Sequence, residues 1–216
     1  MDCVLFDMDG VIVDSEDYWV DREREELLPA VVEEDVPVSE ITGMNYKEIY
    51  EYLDSNYTTL VDRPEYIDRF EEIAREIYTE HAELMPGFRD LLADLHEHGV
   101  RTAIVSSSPP DWIETVTDRF DLERFDEIVS AEHIDGPGKP EPAIYEHAAR
   151  EMGVEPGDCI VVEDSEHGVE SAAAAGAYTL AYETATNDDH DHSAADESVS
   201  GPDELRERLL ALCDAD

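Results

Sequence analysis

Apolar positions along the chain follow two different patterns. Short unbroken runs recur: VLF at 4–6, VRTAIVS at 100–106, EIVS at 127–130, CIVV at 159–162 and YTLAY at 178–182. Their length and β-branched content are those of strands buried on both faces. Between the runs, apolar residues return at spacings of three and four. Phe88, Leu91, Leu92 and Leu95 share one face of a helix that Pro86-Gly87 opens and Gly99 closes. Further helices are predicted over 111–119, over 143–152 behind Pro140 and Pro142, after Ser165 as N-cap, and over 202–212. Strands alternating with helices of about ten residues predict βαβ units and a parallel sheet.

From Ser15 to Glu83 only the helical pattern appears, as in Tyr66, Ile67, Phe70, Ile73 and Ile77, and no strand is expected there. The predicted fold class is therefore α/β: a Rossmann-like parallel-sheet core built from 1–14 and 84–216, with an all-α cap over 15–83 inserted near its start. Residues 184–198 are expected to form a polar acidic loop.

Composition changes this picture in one respect. A chain of 216 residues with 42% hydrophobic content is an ordinary globular protein, but 57 Asp and Glu against 14 Lys and Arg leave a formal net charge of −43. No active site uses so many carboxylates, so most are expected on the surface, where their repulsion opposes the compact state. At molar salt the Debye length falls to roughly 3 Å and that repulsion is screened. Only Lys47 and Lys139 represent lysine. Acid excess with scarce lysine resembles proteins of salt-accumulating, halophilic cells, and it excludes a nucleic-acid backbone as partner. Three cysteines without framework spacing point to a reducing compartment. There is no leader-like segment and no apolar run near the roughly 18 residues of a membrane span. A cytoplasmic monomer without a membrane partner is the expectation.

The polar residues that end the strands carry the chemistry. In open parallel sheets ligands collect at the carboxyl ends of the strands, and here those ends hold Asp7 and Asp9, Ser106 to Ser108, and Glu163 with Asp164. Carboxylates brought that close raise one another's pKa unless a hard cation such as Mg²⁺ offsets them. Lys139 and the serines add a point charge and hydroxyl donors for phosphate oxygens. The Asp7–Asp9 spacing lets one carboxylate attack phosphorus while the other serves the leaving oxygen as acid, then as base. GPGK at 136–139 is no P-loop, since His133 holds the first glycine position and Pro140 replaces Ser/Thr. The serines lack the G-x-S-x-G elbow. His190 and His192 are read as loop residues and Trp19 as packing at the cap hinge.

VLFDMDGVIVDSE, IVSSS, GKPEPAIYEHA and VVEDSEHGVESAAAAGA, in that order, resemble the four motifs of the haloacid dehalogenase-like superfamily. The helical insertion is similar to the cap of the subgroup containing phosphoglycolate phosphatase and β-phosphoglucomutase. That resemblance implies Asp7 as nucleophile, Asp9 as general acid and base, and Ser106, Ser107 and Lys139 around the phosphoryl group. It implies Mg²⁺ on Asp7, the Asp9 carbonyl and Asp164, with Glu163 beside it, and cap contacts to substrate from Gly43 and Lys47. The activity implied is hydrolysis of a small phosphorylated metabolite, a sugar phosphate or phosphoglycolate, with phosphohexomutase as the alternative. Asp9 argues against dehalogenation. Trp19 and Tyr46 stand approximately where mutases of this type carry a His and an Arg.

Overall fold

The computed structural model describes residues 1–213 apart from 185, 186, 188 and 189. The chain begins with β1 (Cys3–Phe6) and a two-residue strand β2 (Val13–Asp14), then enters helices α1 (Glu16–Arg22), α2 (Leu28–Val31), α3 (Tyr46–Asn56) and α4 (Arg63–Glu76). It returns through β3 (Glu83–Leu84) to α5 (Phe88–Glu97), β4 (Arg101–Ser106), α6 (Pro110–Arg119), β5 (Glu127–Ser130) and α7 (Ala143–Met152). The last elements are β6 (Cys159–Glu163), α8 (Glu166–Ala175), β7 (Tyr178–Glu183), β8 (Glu197–Ser200) and α9 (Gly201–Cys213).

Six strands form one parallel sheet in the order β5-β4-β1-β6-β7-β8. β1 lies inside it, with Phe6 opposite Ile104 of β4 and Val162 of β6. This register brings Asp7, Ser106 and Glu163 to one end of three adjacent strands. The alternation along β1 divides the core. Val4 and Phe6 face the layer of Phe88, Leu91 and Leu95, and Phe6 meets Phe88 edge-on at 5.4 Å. Cys3 and Leu5 face Tyr145, Ala148 and Ala172 on the other side. Burial on both faces is why the run is continuously apolar, and each such side chain contributes about 1.5–3 kcal/mol.

The all-α region lies between β2 and β3, which pair antiparallel where the chain leaves and re-enters the sheet region. α1 and α2 run into each other through a π-turn at Glu23–Leu27, where the Leu28 amide reaches back to the Glu23 carbonyl. Pro29 follows and has no amide to donate, so the regular ladder is already interrupted there.

The five predicted strands and the core helices are present, and Ser165 caps α8 by accepting the Gly168 amide. Three features differ from expectation. β8 occupies the end of the stretch read as a loop, because ESVS buries only Val199 and has no apolar run to betray it. Of that stretch, 185, 186, 188 and 189 lie outside the described residues. β3 and a bridge between Val32 and Thr59 fall in the region read as wholly helical, each too short to leave a periodic trace.

Candidate active site

The chain passes from β1 into Asp7, and the Asp7 amide continues the ladder by donating to the Val162 carbonyl at 3.0 Å. Gly10 then turns the backbone at φ +71°, and a Cβ there would lie 1.9 Å from Oδ2 of Asp164. Gly10 therefore lets the first loop close down on the carboxylate that follows β6. Gly168 does the same on the other side, since a Cβ there would lie 2.0 Å from Oε2 of Glu163.

Lys139 sits at the centre. Its ammonium donates to Oδ1 of Asp7 at 2.6 Å, to Oε1 of Glu163 at 2.5 Å and to the Val105 carbonyl at 3.3 Å. Tyr145 donates to the same Glu163 oxygen, and Ser165 to the other at 3.3 Å. Burial works against the Lys139 charge, but the two carboxylates outweigh it and hold the lysine above its ordinary range. Glu163 is thereby occupied in fixing Lys139.

Asp9 has a separate set of partners. It accepts from Ser15 at 2.6 Å, from Tyr78 at 2.9 Å and from Ser108 at 3.3 Å. Burial raises its pKa, and these three bonds oppose the rise without cancelling it. An Asp whose acid form burial favours, and which three hydroxyls hold in place, is suited to pass a proton. Ser106 Oγ accepts the Ser108 amide at 3.0 Å, which shapes the turn after β4, and both Ser106 and Ser107 line the cavity.

Oxygens of Asp7, Glu163 and Asp164 lie within 4.8 Å of one another, and all three residues are buried. The Asp164 carboxylate receives no hydrogen bond from any described residue, while burial and then the neighbouring acidic charges push it well above the ordinary carboxylate range. Burial likewise pushes Asp7 up to about 8, against the pull of Lys139. Hard oxygen donors, crowded and short of cations, fit Mg²⁺. The Asp164 backbone is fixed from behind: its carbonyl accepts from Asn187 at 3.0 Å and from His192 at 2.9 Å. His192, read as a loop residue, thus supports the site without pointing a ring nitrogen into it.

The all-α region closes over this site. Asn45 donates to the Ser107 carbonyl at 2.8 Å, Ser107 to the Gly43 carbonyl at 2.9 Å, and His167 to the Thr42 carbonyl at 2.7 Å. The Gly138 amide donates to Glu48 at 2.9 Å. Gly43 lines the cavity at φ +79°, and a Cβ there would lie 2.8 Å from Ser165 Oγ. Lys47 is elsewhere: it pairs with Glu132 and does not line the cavity. Trp19 both packs, stacked on Phe70 at 4.8 Å, and lines the cavity.

The sequence reading did not single out Tyr78, Tyr145, Ser15, Asn45 or Glu23. The aromatics sit in apolar helical patterns and look like core. Glu23 stands in a run of surface-like charge, where the one available signal is that Glu16, Trp19 and Glu23 share a helical face.

A buried Asp nucleophile candidate, a lysine clamp and an acidic cation site at the carboxyl ends of parallel strands, under a helical lid, define a hydrolase of the phosphate-handling α/β type. The chain belongs to the haloacid dehalogenase-like hydrolases, whose family model matches residues 1–176. It is 31% identical to hexitol phosphatase B of Escherichia coli K12 over 176 residues, 79% of this chain and 78% of that protein. It is 30% identical to the phosphorylated carbohydrates phosphatase of Thermotoga maritima over 179 residues, 82% of each. CbbY of Rhodobacter sphaeroides, solved with phosphate, shares the fold at 22% identity and a TM-score of 0.77 over 96% of both chains.

Proposed function

We propose that the chain is a Mg²⁺-dependent phosphomonoesterase acting on a small phosphorylated metabolite, with Asp7 as nucleophile and Asp9 as general acid and base. The observation that carries this reading is the split environment of the two carboxylates. Asp7 contacts the Lys139 ammonium and the acidic cluster, whereas among the described residues the Asp9 carboxylate accepts hydrogen bonds only from hydroxyls. A carboxylate oxygen of Asp7 attacks phosphorus as the ester oxygen departs, and Asp9 gives that oxygen its proton. Asp9 then takes a proton from the water that cleaves the acyl phosphate and regenerates Asp7. Lys139 and the Ser106–Ser107 turn hold the phosphoryl oxygens in line for both transfers. Asp7, the Asp9 carbonyl and Asp164, with Glu163 adjoining, would hold Mg²⁺, which would supply positive charge between the carboxylates and the phosphate dianion.

The division into a core of 1–14 with 84–216 and a cap of 15–83 belongs to the same reading, and the β2–β3 ribbon at the crossing points supports it. Membership of the phosphoglycolate phosphatase and β-phosphoglucomutase subgroup, with a sugar phosphate or phosphoglycolate as substrate, is part of the same proposal. Trp19 and Tyr46 pack on Phe70 and Trp112 and supply no charge of the kind a mutase uses to turn a bisphosphate, which favours hydrolysis over mutase activity. The acid excess supports an origin in a salt-rich cytoplasm.

The test is phosphate release from a panel of small phosphoesters in molar KCl, with and without Mg²⁺. Release is expected to require Mg²⁺ and to vanish in a folded Asp7→Asn variant. Undiminished release from that variant would remove Asp7 from the mechanism. Conversion of β-glucose 1-phosphate to glucose 6-phosphate with a bisphosphate primer would favour the mutase.

A further inference from the structure

The active-site cavity, about 70 Å³, has two dissimilar halves. The sheet side holds the groups already described. The cap side is walled by Trp19, Tyr46, Phe70 and other apolar side chains, and carries two acidic residues: Glu16, which feels the charges of Asp9 and Asp7, and Glu23, on which burial alone acts. Glu23 is only 6% exposed, and no described residue donates a hydrogen bond to it or pairs with it. Lys139 is the one basic residue among the described residues lining the cavity, and Asp7 and Glu163 already engage it. The Tyr66 hydroxyl, which feels the Glu23 charge, is buried without a partner but does not line the cavity.

A largely buried carboxylate that meets solvent only at the cavity and has no protein donor is poorly solvated, and a ligand hydroxyl donating to it offsets that cost. The π-turn at Glu23–Leu27 carries this residue on the face of the helix that also presents Trp19 to the cavity. We propose that Glu23 selects the leaving group, so that the enzyme prefers phosphomonoesters of neutral polyols or sugars, whose hydroxyls donate to Glu23, and rejects esters carrying a carboxylate or second phosphate. The inference rests on the phosphatase reading above and narrows it. Phosphoglycolate would place its own carboxylate in a half-cavity that holds two acidic residues and, among the described residues, no cation, and a bisphosphate would do worse. A hydroxyl donating to Glu23 stabilises its ionised form instead. Burial alone holds that group near 8.

The experiment compares kcat/KM for sorbitol 6-phosphate and 6-phosphogluconate, which share a six-carbon chain and differ at the end away from the ester. Both are measured with Mg²⁺ in molar KCl, so that the charge of the whole protein is screened, beside acetyl phosphate, whose small leaving group places no demand on the cap. The wild type is expected to favour sorbitol 6-phosphate by about a hundredfold or more. In Glu23→Gln that ratio should shrink by about tenfold or more, chiefly through a higher KM for the sorbitol ester. Acetyl phosphate cleaved while the six-carbon esters differ by less than about threefold in the wild type would overturn the assignment, and that readout does not depend on the variant folding. A preference for phosphocholine over sorbitol 6-phosphate would assign Glu23 to a cationic group and also overturn it. Failure to cleave acetyl phosphate or any ester would instead strike the phosphatase reading, and the inference with it.

Discussion

Lys139 is the cation on which the buried carboxylates converge, in a chain that otherwise retains only one lysine. Removing it leaves Asp7 and Glu163 buried without a counter-charge, and breaking such a pair costs about 3–5 kcal/mol. Lys139→Met should therefore lower the unfolding midpoint sharply in chemical denaturation, as well as abolish turnover. An unchanged midpoint would mean that the carboxylates relax to solvent or take up protons without penalty. At this scale the sequence was highly legible. Asp7, Asp9, Ser106, Glu163 and Asp164 stand out in the sequence because strand ends in a parallel sheet are where polar residues have no packing role, and Lys139 because the chain retains so little lysine; the structure brings them to one cavity or its wall. Tyr145 and Tyr78 do not stand out, because a tyrosine whose ring packs and whose hydroxyl donates has the same sequence signature as one that only packs. Lys47 is less legible: the resemblance implies a substrate contact, whereas the structure places it in the first turn of α3, paired with Glu132 after β5 and away from the cavity lining.

At the scale of elements, Asn45 links local and long-range structure. Its side-chain oxygen accepts the Lys47 amide at 3.0 Å and so caps α3, while its nitrogen donates to Ser107 beside the phosphate site. Asn45→Ala should lose about 1 kcal/mol from the missing cap and also lose the bond across to the core. Asn45→Asp keeps the cap but not the donor. If the bond matters for closure, thermal unfolding of the Asp variant should stay near wild type while its kcat/KM falls about tenfold. Equal kcat/KM in Asn45→Asp and wild type would show that α3 docks without it. Elements that bury a stripe or an apolar run were legible at nearly their true bounds, as α7 and β5 show. β8 and the ribbon were not, since their pairing is dictated by backbone partners far away in the chain and not by their own apolar content.

For the whole molecule the dominant quantity is the −43 charge. Surface ion pairs such as Arg22–Glu26 and Arg69–Glu65 are exposed, contribute little each, and are far too few to offset it. The folded state should accordingly gain stability as KCl rises from about 0.1 M to molar concentration, where the screening length shrinks from roughly 10 to 3 Å. Unfolding monitored by circular dichroism across that range is the check, and a protein equally stable throughout would contradict the halophilic reading. The same screening should raise the association rate of a dianionic substrate, an effect separable from stability by initial rates at temperatures well below unfolding.

The paired strands β2 and β3 place both passages of the chain into the helical region side by side. Two adjacent attachments act like the two leaves of one door hinge: they permit a swing and resist sliding or twisting. Opening would lift Glu23, Gly43 and Asn45 off the phosphate site together, because all three ride on the swinging leaf. Under the proposed mechanism, selection of the leaving group and exclusion of water would be a single mechanical event. On that reading an ill-matched alcohol would hold the door ajar and forfeit the dry interior in which Asp9 is proposed to hand over its proton.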